Sequence, residues 1–343
     1  MPKNEPKIAI ILIHYNTPQY LKTCLDHIFD QSYKNIEVYF IDNNSPSKDG
    51  LNFVKKYPLH VIANKENLGY AKAANQGIKL AIGAKADYVV ITNPDIIYSP
   101  TYFEKIINHI PAGVAGVTGK VYKYDFANKK PTKIIDTVGL YIDRKFRVAD
   151  GAQGLLDKGQ FDKEKEVFGI SGACPLYSVK ALEEAKITLP NGSDEYFDED
   201  FFMYKEDVDL SWRLQLLGWK FLYYPKAIAF HGRGTGVIER RTIWQIAKNR
   251  KLLSKFQRYY SYRNQQLMIT KNALFGNYFR NLPRVIAYDV STLFYLLFFE
   301  PSTLKALASI FKLSPKMARK RQLIMAKKKV GAKRINKWMT AKP

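Results

Sequence analysis

Four strand-like segments, mainly apolar and rich in β-branched residues, are separated by stretches of helical spacing in the first 92 residues and constrain the fold more than any other feature. The segments are residues 7–13, 36–41, 59–63 and 88–92. Strands that are apolar at every position, instead of at alternate positions, are typical of parallel sheets that helices cover on both faces. The alternation therefore predicts an α/β fold with a doubly wound, mostly parallel sheet in one large domain.

Polar residues follow three of the four segments directly. They are His14, Tyr15 and Asn16 after the first, Asp42 and Asn43 after the second, and Asn93 and Asp95 after the fourth. In doubly wound sheets the ligand binds beyond the carboxyl ends of the strands, so we expect these side chains to converge on one ligand site. The chain contains neither the glycine-rich dinucleotide motif nor a P-loop sequence, which argues against both of those phosphate sites.

Each of these polar groups also has an ordinary structural interpretation. Asp42 and Asn43 suit contacts to a base or ribose, but they also suit an Asx turn. Asp95 suits a divalent cation on a diphosphate, because hard cations prefer carboxylate oxygen, but the sequence Asn-Pro-Asp is also common in turns. Asn67 and Gly69 precede a helical stretch, where glycine permits close approach of the backbone to a ligand and a simple N-cap is the alternative.

Carboxylates crowd into twelve residues in the second half of the chain. They are Asp198, Glu199, Asp200, Glu206, Asp207 and Asp209. Such crowding costs repulsion unless a cation or a catalytic purpose offsets it. Helical spacing over residues 208–217 places Glu206 and Asp207 at a helix N-terminus, where plain helix capping is the alternative. The apolar segment 227–230 would return His231 to the sheet edge as a metal ligand, whereas a lone histidine is more often structural.

In their order and spacing, these residues resemble the family 2 glycosyltransferases of the GT-A fold, and among them the bacterial rhamnosyltransferase-like branch. The resemblance covers residues 7–235 and includes Ser171-Gly172-Ala173-Cys174. It implies that Asp207 is the catalytic base, that Asp95 is the last carboxylate of a D-x-D metal motif and that His231 completes the metal shell. In the same way it implies that Asp42 reads the nucleotide base.

The resemblance also implies a wider site. The nucleotide-sugar would contact His14, Tyr15, Asn16, Asp42, Asn43, Asn67, Gly69, Asn93 and Asp95. Glu206 would orient the site beside Asp207, and the acceptor or sugar pocket would include Gly172, Ala173, Asp200 and Arg213. The chain departs from the family at Asn93, where many members have Asp. Because an amide oxygen binds Mg²⁺ or Mn²⁺ more weakly than a carboxylate does, we expect a weaker metal affinity.

The implied function is transfer, with inversion, of a sugar from a nucleoside-diphosphate sugar to a hydroxyl of a glycan or lipid-linked acceptor in cell-surface polysaccharide synthesis. The donor would be dTDP-rhamnose or a UDP-sugar, and Mg²⁺ or Mn²⁺ would be the cofactor. Two other classes stay open. A sugar-phosphate nucleotidylyltransferase shares such a sheet, but needs a Gly-rich, Arg-containing loop after the first strand, where this chain has none. A nucleic-acid-binding protein would explain a basic tail, but not the acidic cluster.

Nearly all of the net charge of +23 lies at the C-terminal end. Residues 1–239 carry 30 Lys and Arg against 29 Asp and Glu, and residues 240–343 carry 24 against 2, which leaves +1 and +22. We therefore divide the chain into a catalytic domain, residues 1–242, and a basic, aromatic helical extension, residues 243–343. The concentrated positive charge predicts an anionic partner.

An anionic membrane surface is the expected partner of the extension. Its longest uncharged run, residues 290–299, is too short to span a bilayer, so interfacial helices with a Lys- and Arg-rich flank are expected. The alternative is a basic extension that packs its aromatic residues on the body. Cys24 and Cys174 are too few for a disulfide framework, and the N-terminus lacks a secretory cleavage site, so the expected location is the cytoplasmic face of the cell membrane.

Overall fold

The computed structural model describes residues 5–232 and 250–340 of the chain. A ten-stranded sheet lies at its centre, and four parallel neighbours in the order β4-β1-β2-β3 form one half of it. They are β1 (Ile8–His14), β2 (Ile36–Asp42), β3 (His60–Ala63) and β4 (Tyr88–Thr92). Every residue of β1 is buried, as expected of a strand that helices cover on both faces.

Helices cover both faces of this half of the sheet. On one face, α1 (Pro18–Phe29), α2 (Asp49–Val54) and α4 (Tyr102–Ile107) share an apolar core with Ile8, Ile10 and Leu12. On the other face, α3 (Tyr70–Gly83) packs against Ala9, Ile11 and Ile13. Alternate residues of β1 therefore belong to two different cores, and the predicted doubly wound, mostly parallel sheet is confirmed.

Strands from the second half of the chain extend the sheet. β6 (Val114–Asp125) and β14 (Lys220–His231) are parallel neighbours, and the antiparallel β11 (Leu176–Ser178) joins β6 to β4. The short strands at the margins are β5 (Ile96–Tyr98) on β14, β7 (Lys130–Thr137) on β6 and β10 (Lys165–Val167) on β14. Outside the sheet, β8 (Leu140–Ile142) pairs with β9 (Val148–Asp150), and β12 (Ile187–Thr188) with β13 (Asp194–Glu195).

The apolar segment 227–230 is the last part of β14, a strand of twelve residues. The register of β14 against β6 shifts between Tyr224 and Ile228. Pro225 lies in this interval, and it has no N–H to give to a strand ladder. The strand resumes beyond it and brings His231 to the edge of the sheet, as the sequence predicts.

The acidic segment connects β13 to a helix. After α5 (Val179–Ala185) and β13, the chain forms a 3-10 turn (Glu199–Phe201) and then α6 (Glu206–Leu216). The predicted helix is confirmed and begins two residues earlier than residue 208, so that both Glu206 and Asp207 lie in its first turn.

The described part of the C-terminal extension is helical and packs on the body. Its helices are α7 (Lys255–Asn272), α8 (Phe275–Phe299), α9 (Lys305–Lys327) and α10 (Ala332–Thr340). Leu267, Met317 and Trp338 of the extension share an apolar core with Trp212 of α6. The predicted domain boundary at residues 242 and 243 lies outside the described residues. The division into two domains stays a prediction, and the shared core joins the two parts.

Helix α8 is 25 residues long, and it is long and apolar enough to cross a bilayer by length and composition alone. The uncharged run of residues 290–299 did not predict this length, because the helix continues through Arg280 and Arg284 to Phe275. Asn277, Asn281, Val285 and Leu296 of α8 are buried. One face of α8 thus packs on the protein, while most of its large apolar residues stay exposed.

Candidate active site

The ends of β1 and β2 are tied together by a buried hydrogen-bonded group. His14 Nδ1 lies 2.8 Å from Asp42 Oδ1, and His14 Nε2 accepts from the Thr17 N–H at 3.2 Å. The Ser45 hydroxyl donates to the same Asp42 oxygen at 2.6 Å and accepts from the Asn16 N–H at 2.9 Å. Asp42 is therefore buried and already bonded within the protein, which favours a role in holding the loops, and direct contact with a base stays a prediction.

Asn43 organises the neighbouring loop. Its side-chain oxygen accepts from the Leu68 N–H at 3.1 Å, and its amide donates to Asn67 Oδ1 at 3.0 Å and to the Gly69 carbonyl at 3.3 Å. Gly69 has φ +79°, and a Cβ there would lie 2.7 Å from the Phe202 carbonyl oxygen. The close approach that the sequence predicts at Gly69 is thus to another part of the chain. Tyr15, by contrast, is exposed at this sheet edge.

Asp95 and His231 are brought together by the antiparallel pairing of β5 and β14, in which His231 lies opposite Ile96. His231 Nε2 lies 3.3 Å from Asp95 Oδ2, and His231 Nδ1 lies 2.8 Å from Asp136 Oδ2. Asp136 is fully buried in β7, and the sequence analysis did not identify it. A carboxylate inside a mostly apolar strand was the one signal that could have pointed to it.

Asp95 and His231 are two candidate ligands of a divalent cation. Burial lowers the pKa of His231, but the hydrogen bonds to Asp136 and Asp95 outweigh burial and raise it to about 9. A cation would therefore have to displace the Nε2 proton, while Nδ1–H continues to donate to Asp136, as in other metal-binding histidines. Across residues 5–232 and 250–340 no group of three or more His, Cys, Asp or Glu is arranged to hold a metal ion. Oxygens of a bound substrate would therefore have to complete the coordination.

Asp207 is held by backbone N–H groups at the start of α6. The Gly172 N–H donates to Asp207 Oδ2 at 2.7 Å, and the Val208 N–H donates to Asp207 Oδ1 at 2.8 Å. Burial raises the pKa of the Asp207 carboxyl, the Gly172 N–H lowers it, and the charge of Asp150 raises it further, so that it lies above its usual value. Asp207 as a whole residue is half-buried.

Glu206 differs from its neighbour in being buried. Burial, and then the adjacent charge of Asp207, raise the pKa of Glu206 to about 8. Nothing in the described part of the chain hydrogen-bonds its Oε2. Glu206 is therefore protonated at neutral pH, whereas the neighbouring Asp207 carboxylate accepts two backbone N–H groups, which favour its charged form.

Two tyrosines that the sequence analysis did not identify connect these groups. Burial, and then the charges of Glu206, Asp207 and Asp95, raise the pKa of Tyr70. Tyr177 is fully buried and lies within electrostatic reach of Asp207, Tyr70 and Glu206. Neither hydroxyl has a hydrogen-bond partner among the described residues. Buried polar groups normally have partners, so the Tyr70 hydroxyl suits a bound polar ligand, whereas Tyr177 is enclosed in the apolar core. No sequence signal marked them.

The chain was compared with known families, relatives and structures. The sequence model of the family described as Glycosyl transferase family 2 matches residues 9–185. The chain belongs to this family.

Among the relatives of this glycosyltransferase is the N-acetylglucosaminyl-diphospho-decaprenol L-rhamnosyltransferase of Mycobacterium tuberculosis. The two are 26% identical over 245 residues, which cover 65% of this chain and 75% of the relative. The glycosyltransferase GlyG of Streptococcus pneumoniae is 30% identical over 123 residues, which cover 34% of this chain and 40% of GlyG. The chain is thus similar to a rhamnosyltransferase, as its sequence motifs indicated.

Two solved structures share the fold. GalNAc-T7, crystallised with UDP, GalNAc and Mn²⁺, superimposes with a TM-score of 0.53 at 13% identity, over 84% of this chain and 58% of that chain. S. aureus TarS 1–349 in complex with UDP superimposes with a TM-score of 0.50 at 16% identity, over 94% of this chain and 88% of that chain. The GT-A fold that the resemblance implied is confirmed, and the nucleotidylyltransferase and nucleic-acid interpretations of the whole chain are set aside.

Two residues assigned to the acceptor or sugar pocket of this glycosyltransferase need correction. Arg213 is 1% exposed, pairs with Asp209 at 3.1 Å and donates to the Ala185 carbonyl at 2.5 Å. Its guanidinium is thus enclosed in the protein, beyond the reach of a ligand. The Asp200 carboxylate pairs with Lys316 at 2.7 Å and Lys320 at 2.8 Å of α9. Both side chains hold the fold together.

The remaining predicted residues lie near the two carboxyl groups or in the connecting turns. Gly172 lies beside Asp207, where even a Cβ would make only an ordinary contact of 3.4 Å with Asp207 Oδ2. Ala173 is buried behind it. Asn93 lies in the turn between β4 and β5, and its carbonyl accepts from the Ile96 N–H at 3.3 Å. Their contacts with substrate stay predictions.

Proposed function

We propose that this glycosyltransferase moves a sugar, with inversion, from a nucleoside-diphosphate sugar to a hydroxyl of a lipid-linked glycan. The observation that carries the proposal is the carboxylate of the half-buried Asp207, which two backbone N–H groups hold within electrostatic reach of the buried Tyr70 hydroxyl. A fixed carboxylate with a raised pKa is the group required to take a proton from an alcohol.

The chemistry is a single displacement. The acceptor hydroxyl transfers its proton to a carboxylate oxygen of Asp207 while its oxygen bonds to the anomeric carbon. The bond from that carbon to the diphosphate oxygen breaks on the opposite face, and the electron pair leaves with the diphosphate. Glu206, protonated beside the base, can donate a hydrogen bond to the sugar or acceptor but cannot compete for the proton.

Asp95 and His231 are the residues that would hold a divalent cation, with Asp136 orienting the histidine. A cation there would neutralise the negative charge that develops on the departing diphosphate. GalNAc-T7, which shares the fold, was crystallised with Mn²⁺ and UDP, in agreement with this assignment.

The relative from M. tuberculosis supports the choice of donor and acceptor in this proposal. The M. tuberculosis protein is named as an L-rhamnosyltransferase acting on N-acetylglucosaminyl-diphospho-decaprenol. We assign dTDP-rhamnose as donor and a polyprenyl-diphosphate-linked sugar as acceptor for this chain. A similar segment occurs in the minor teichoic acid biosynthesis protein GgaB of Bacillus subtilis, 30% identical over 106 residues, which supports a role in cell-surface polysaccharide synthesis.

The proposal is tested by measuring release of nucleoside diphosphate from dTDP-rhamnose, UDP-N-acetylglucosamine and GDP-mannose with a lipid-linked acceptor. We expect release from dTDP-rhamnose in the presence of Mn²⁺ or Mg²⁺ and a loss of about tenfold or more with a chelator. Equal release with the chelator would remove the cation from the proposal. No release from any nucleotide sugar would remove the transferase reaction.

The Asp95 and His231 pair can be tested apart from turnover. Calorimetry of Mn²⁺ and dTDP binding to Asp95→Ala, His231→Ala and the double variant should show weaker binding, by roughly 10- to 100-fold for each single change. If both bind one cation, the double variant should lose much less than the sum of the single losses. Asp125→Ala, at a surface turn where Asp125 accepts from the Asn128 amide at 2.8 Å, is the control and should bind normally.

The extension supports a place at the membrane. On α8 a face with helical spacing exposes large apolar side chains: Phe279, Ile286, Val290, Phe294, Leu297 and Phe298. Residues 240–343 contain two acidic residues, and neither is fully exposed to solvent. Glu300 is buried and pairs with Arg250 at 2.6 Å, and Asp289 is half-buried near Gln266. The exposed charge of the described extension is therefore positive. We infer that this face enters an anionic membrane surface.

Phe294→Ser with Phe298→Ser should weaken binding to vesicles of phosphatidylglycerol and phosphatidylcholine by about tenfold or more, because each phenylalanine contributes roughly 1.5–3 kcal/mol when buried. Sedimentation measures the bound fraction. Leu155→Ser with Leu156→Ser, two exposed leucines of the body, is the matched control and should bind as the wild type does. Binding should also fall with salt, since charges are screened within roughly 8–10 Å. Equal binding of both double variants would refute the assigned face.

A further inference from the structure

The turn that leads into α6 has a strained backbone. Phe202, Tyr204 and Lys205 have φ values of 64°, 69° and 71°, in the left-handed region that favours glycine. Non-glycine residues are strained in this region, so the conformation persists only where its surroundings hold it. Lys205 directly precedes Glu206 and Asp207, so the conformation of this turn determines where these two residues are placed.

Two consecutive residues of α7 hold this turn through its carbonyl groups. The Asn264 amide donates to the carbonyls of Phe201, Met203 and Tyr204 at 2.9, 2.8 and 2.8 Å. Arg263 donates to the Phe201 carbonyl at 3.1 Å and also to that of Asp200. Asn264 is fully buried, and every hydrogen bond that its NH₂ group donates goes to the backbone of the turn, while its side-chain oxygen accepts from Arg263 Nε at 2.9 Å. These contacts act on the path of the chain, whatever side chains the turn carries.

The position of the turn determines the position of the Asp207 carboxylate. The Asp209 N–H donates to the Lys205 carbonyl at 2.9 Å, which makes Lys205 part of the first turn of α6. Asp207 meets the Gly172 N–H at 2.7 Å, a distance that leaves little room for a shift of the helix end. Lys271 of α7 also pairs with Asp198, and with Asp209 at 2.8 Å. Helix α7 is thus bound to the acidic segment on both sides of the turn.

We propose that Asn264 of α7 is a positioning residue for glycosyl transfer, which holds the strained turn so that Asp207 stays against the Gly172 N–H. This inference rests on the proposed function, in which Asp207 is the base. It makes the C-terminal extension part of the active-site framework, and so gives it a role besides membrane binding.

The test compares Asn264→Leu with Asn281→Leu in the full-length protein. Leucine keeps the branching of asparagine at Cγ, with two methyl groups in place of the amide oxygen and nitrogen, and removes the amide donors. Asn281 is also buried in the extension, but its amide donates to the Asn277 carbonyl at 2.9 Å, inside α8 and away from the turn. We expect Asn264→Leu to lower kcat by about 10- to 100-fold, because small misplacements of a catalytic group cost this much, with the donor KM within about twofold. Asn281→Leu should keep the wild-type kcat.

The pH profile separates positioning from a general loss of folded protein. Loss of the Gly172 N–H should raise the pKa of Asp207, since that bond lowers it, while Glu206, Lys205, Asp150 and the nearby tyrosines are unchanged. The base then stays protonated to higher pH, so the acid limb of kcat in Asn264→Leu should move upward. A fall in kcat with an unmoved acid limb would overturn the positioning role.

Hydrogen exchange of the peptide covering residues 198–210 gives a readout independent of turnover. Exchange should be faster in Asn264→Leu and as slow as in the wild type in Asn281→Leu. Wild-type exchange in Asn264→Leu would overturn the inference whatever its activity. If exchange is faster but Asp207→Asn is as active as the wild type, the turn is held as inferred and the assignment of the base fails instead.

Discussion

Asp207→Asn should lower kcat by about 100- to 10,000-fold, the range that general-base catalysis contributes. Asparagine has nearly the same shape, and its side-chain oxygen can still accept from the Gly172 N–H, so the site should stay assembled. What is lost is the ability to take the acceptor proton. The measurement is initial-rate release of nucleoside diphosphate at saturating donor and acceptor, with calorimetry of donor binding to show that binding is unchanged.

Glu206→Gln is the matched control in the adjacent residue. Because the pKa of Glu206 is raised to about 8, its carboxyl is already protonated at pH 7, and glutamine resembles that neutral form. We expect kcat within a few-fold of wild type at pH 7, which corresponds to less than about 1 kcal/mol. Wild-type turnover in Asp207→Asn would remove Asp207 from the mechanism. A larger loss in Glu206→Gln than in Asp207→Asn would exchange their roles.

The parallel half of the sheet and the convergence of its polar loops could be predicted because the signals are local. A strand with six consecutive apolar residues, as in Ile8–His14, can be recognised from its own sequence. The rule that ligands bind at the carboxyl ends of parallel strands then groups Asp42 with Asp95 before any contact is known. The position of His231 at the edge of the sheet was predicted in the same way, because the apolar segment 227–230 directly precedes it.

The partners of these residues could not be predicted, because they come from distant parts of the chain. Asp136 orients His231 from 95 positions away, and Tyr177 comes from a three-residue strand with no pattern of its own. Arg213 was misassigned for the same reason. A charged residue on a helix gives no sign, in the sequence, of whether it faces a ligand or a buried Asp209.

The charge of the extension shows that composition alone does not predict where the charged side chains find their partners. The excess of +22 predicted an anionic partner outside the protein, but two of its lysines pair with carboxylates inside the protein. Lys271 and Lys320 are buried and pair with Asp198, which is itself fully buried. The carboxylate crowding around Asp198 was expected to need a cation or a catalytic purpose. The lysines of the extension supply part of that positive charge.

Lys271→Met should therefore destabilise the protein by about 3–5 kcal/mol, the usual cost of removing one partner from a buried ion pair. Methionine keeps the length and apolar stem of lysine, so the loss is mainly electrostatic. Asp209 keeps Arg213 at 3.1 Å, and Asp198 keeps Lys320 at 2.5 Å, yet each loses a buried positive neighbour. The measurement is the free energy of unfolding from urea titration, with thermal melting as a second readout.

Lys316→Met is the matched control, because Lys316 pairs with the same acidic segment, through Asp200 at 2.7 Å, but its side chain is 47% exposed. It should cost about 0–1 kcal/mol, as exposed ion pairs do.

The free energy of unfolding should also depend on pH, because the Asp198 carboxyl has a different pKa in the folded and unfolded protein. Burial raises the pKa of Asp198, but Lys271 and Lys320 outweigh it and hold the pKa well below its usual range. Its contribution to stability is therefore present above the unfolded pKa of about 3.9 and is lost as the pH falls below it.

Stability of the wild type should accordingly decline below about pH 4, and Lys271→Met should show a shallower decline from a lower starting value. Lys316→Met should follow the wild-type curve closely. Equal stability of the two variants at pH 7 would mean that desolvation of the buried charges cancels their attraction. The apolar core around Trp212, Met317 and Trp338 would then hold the extension to the body by itself.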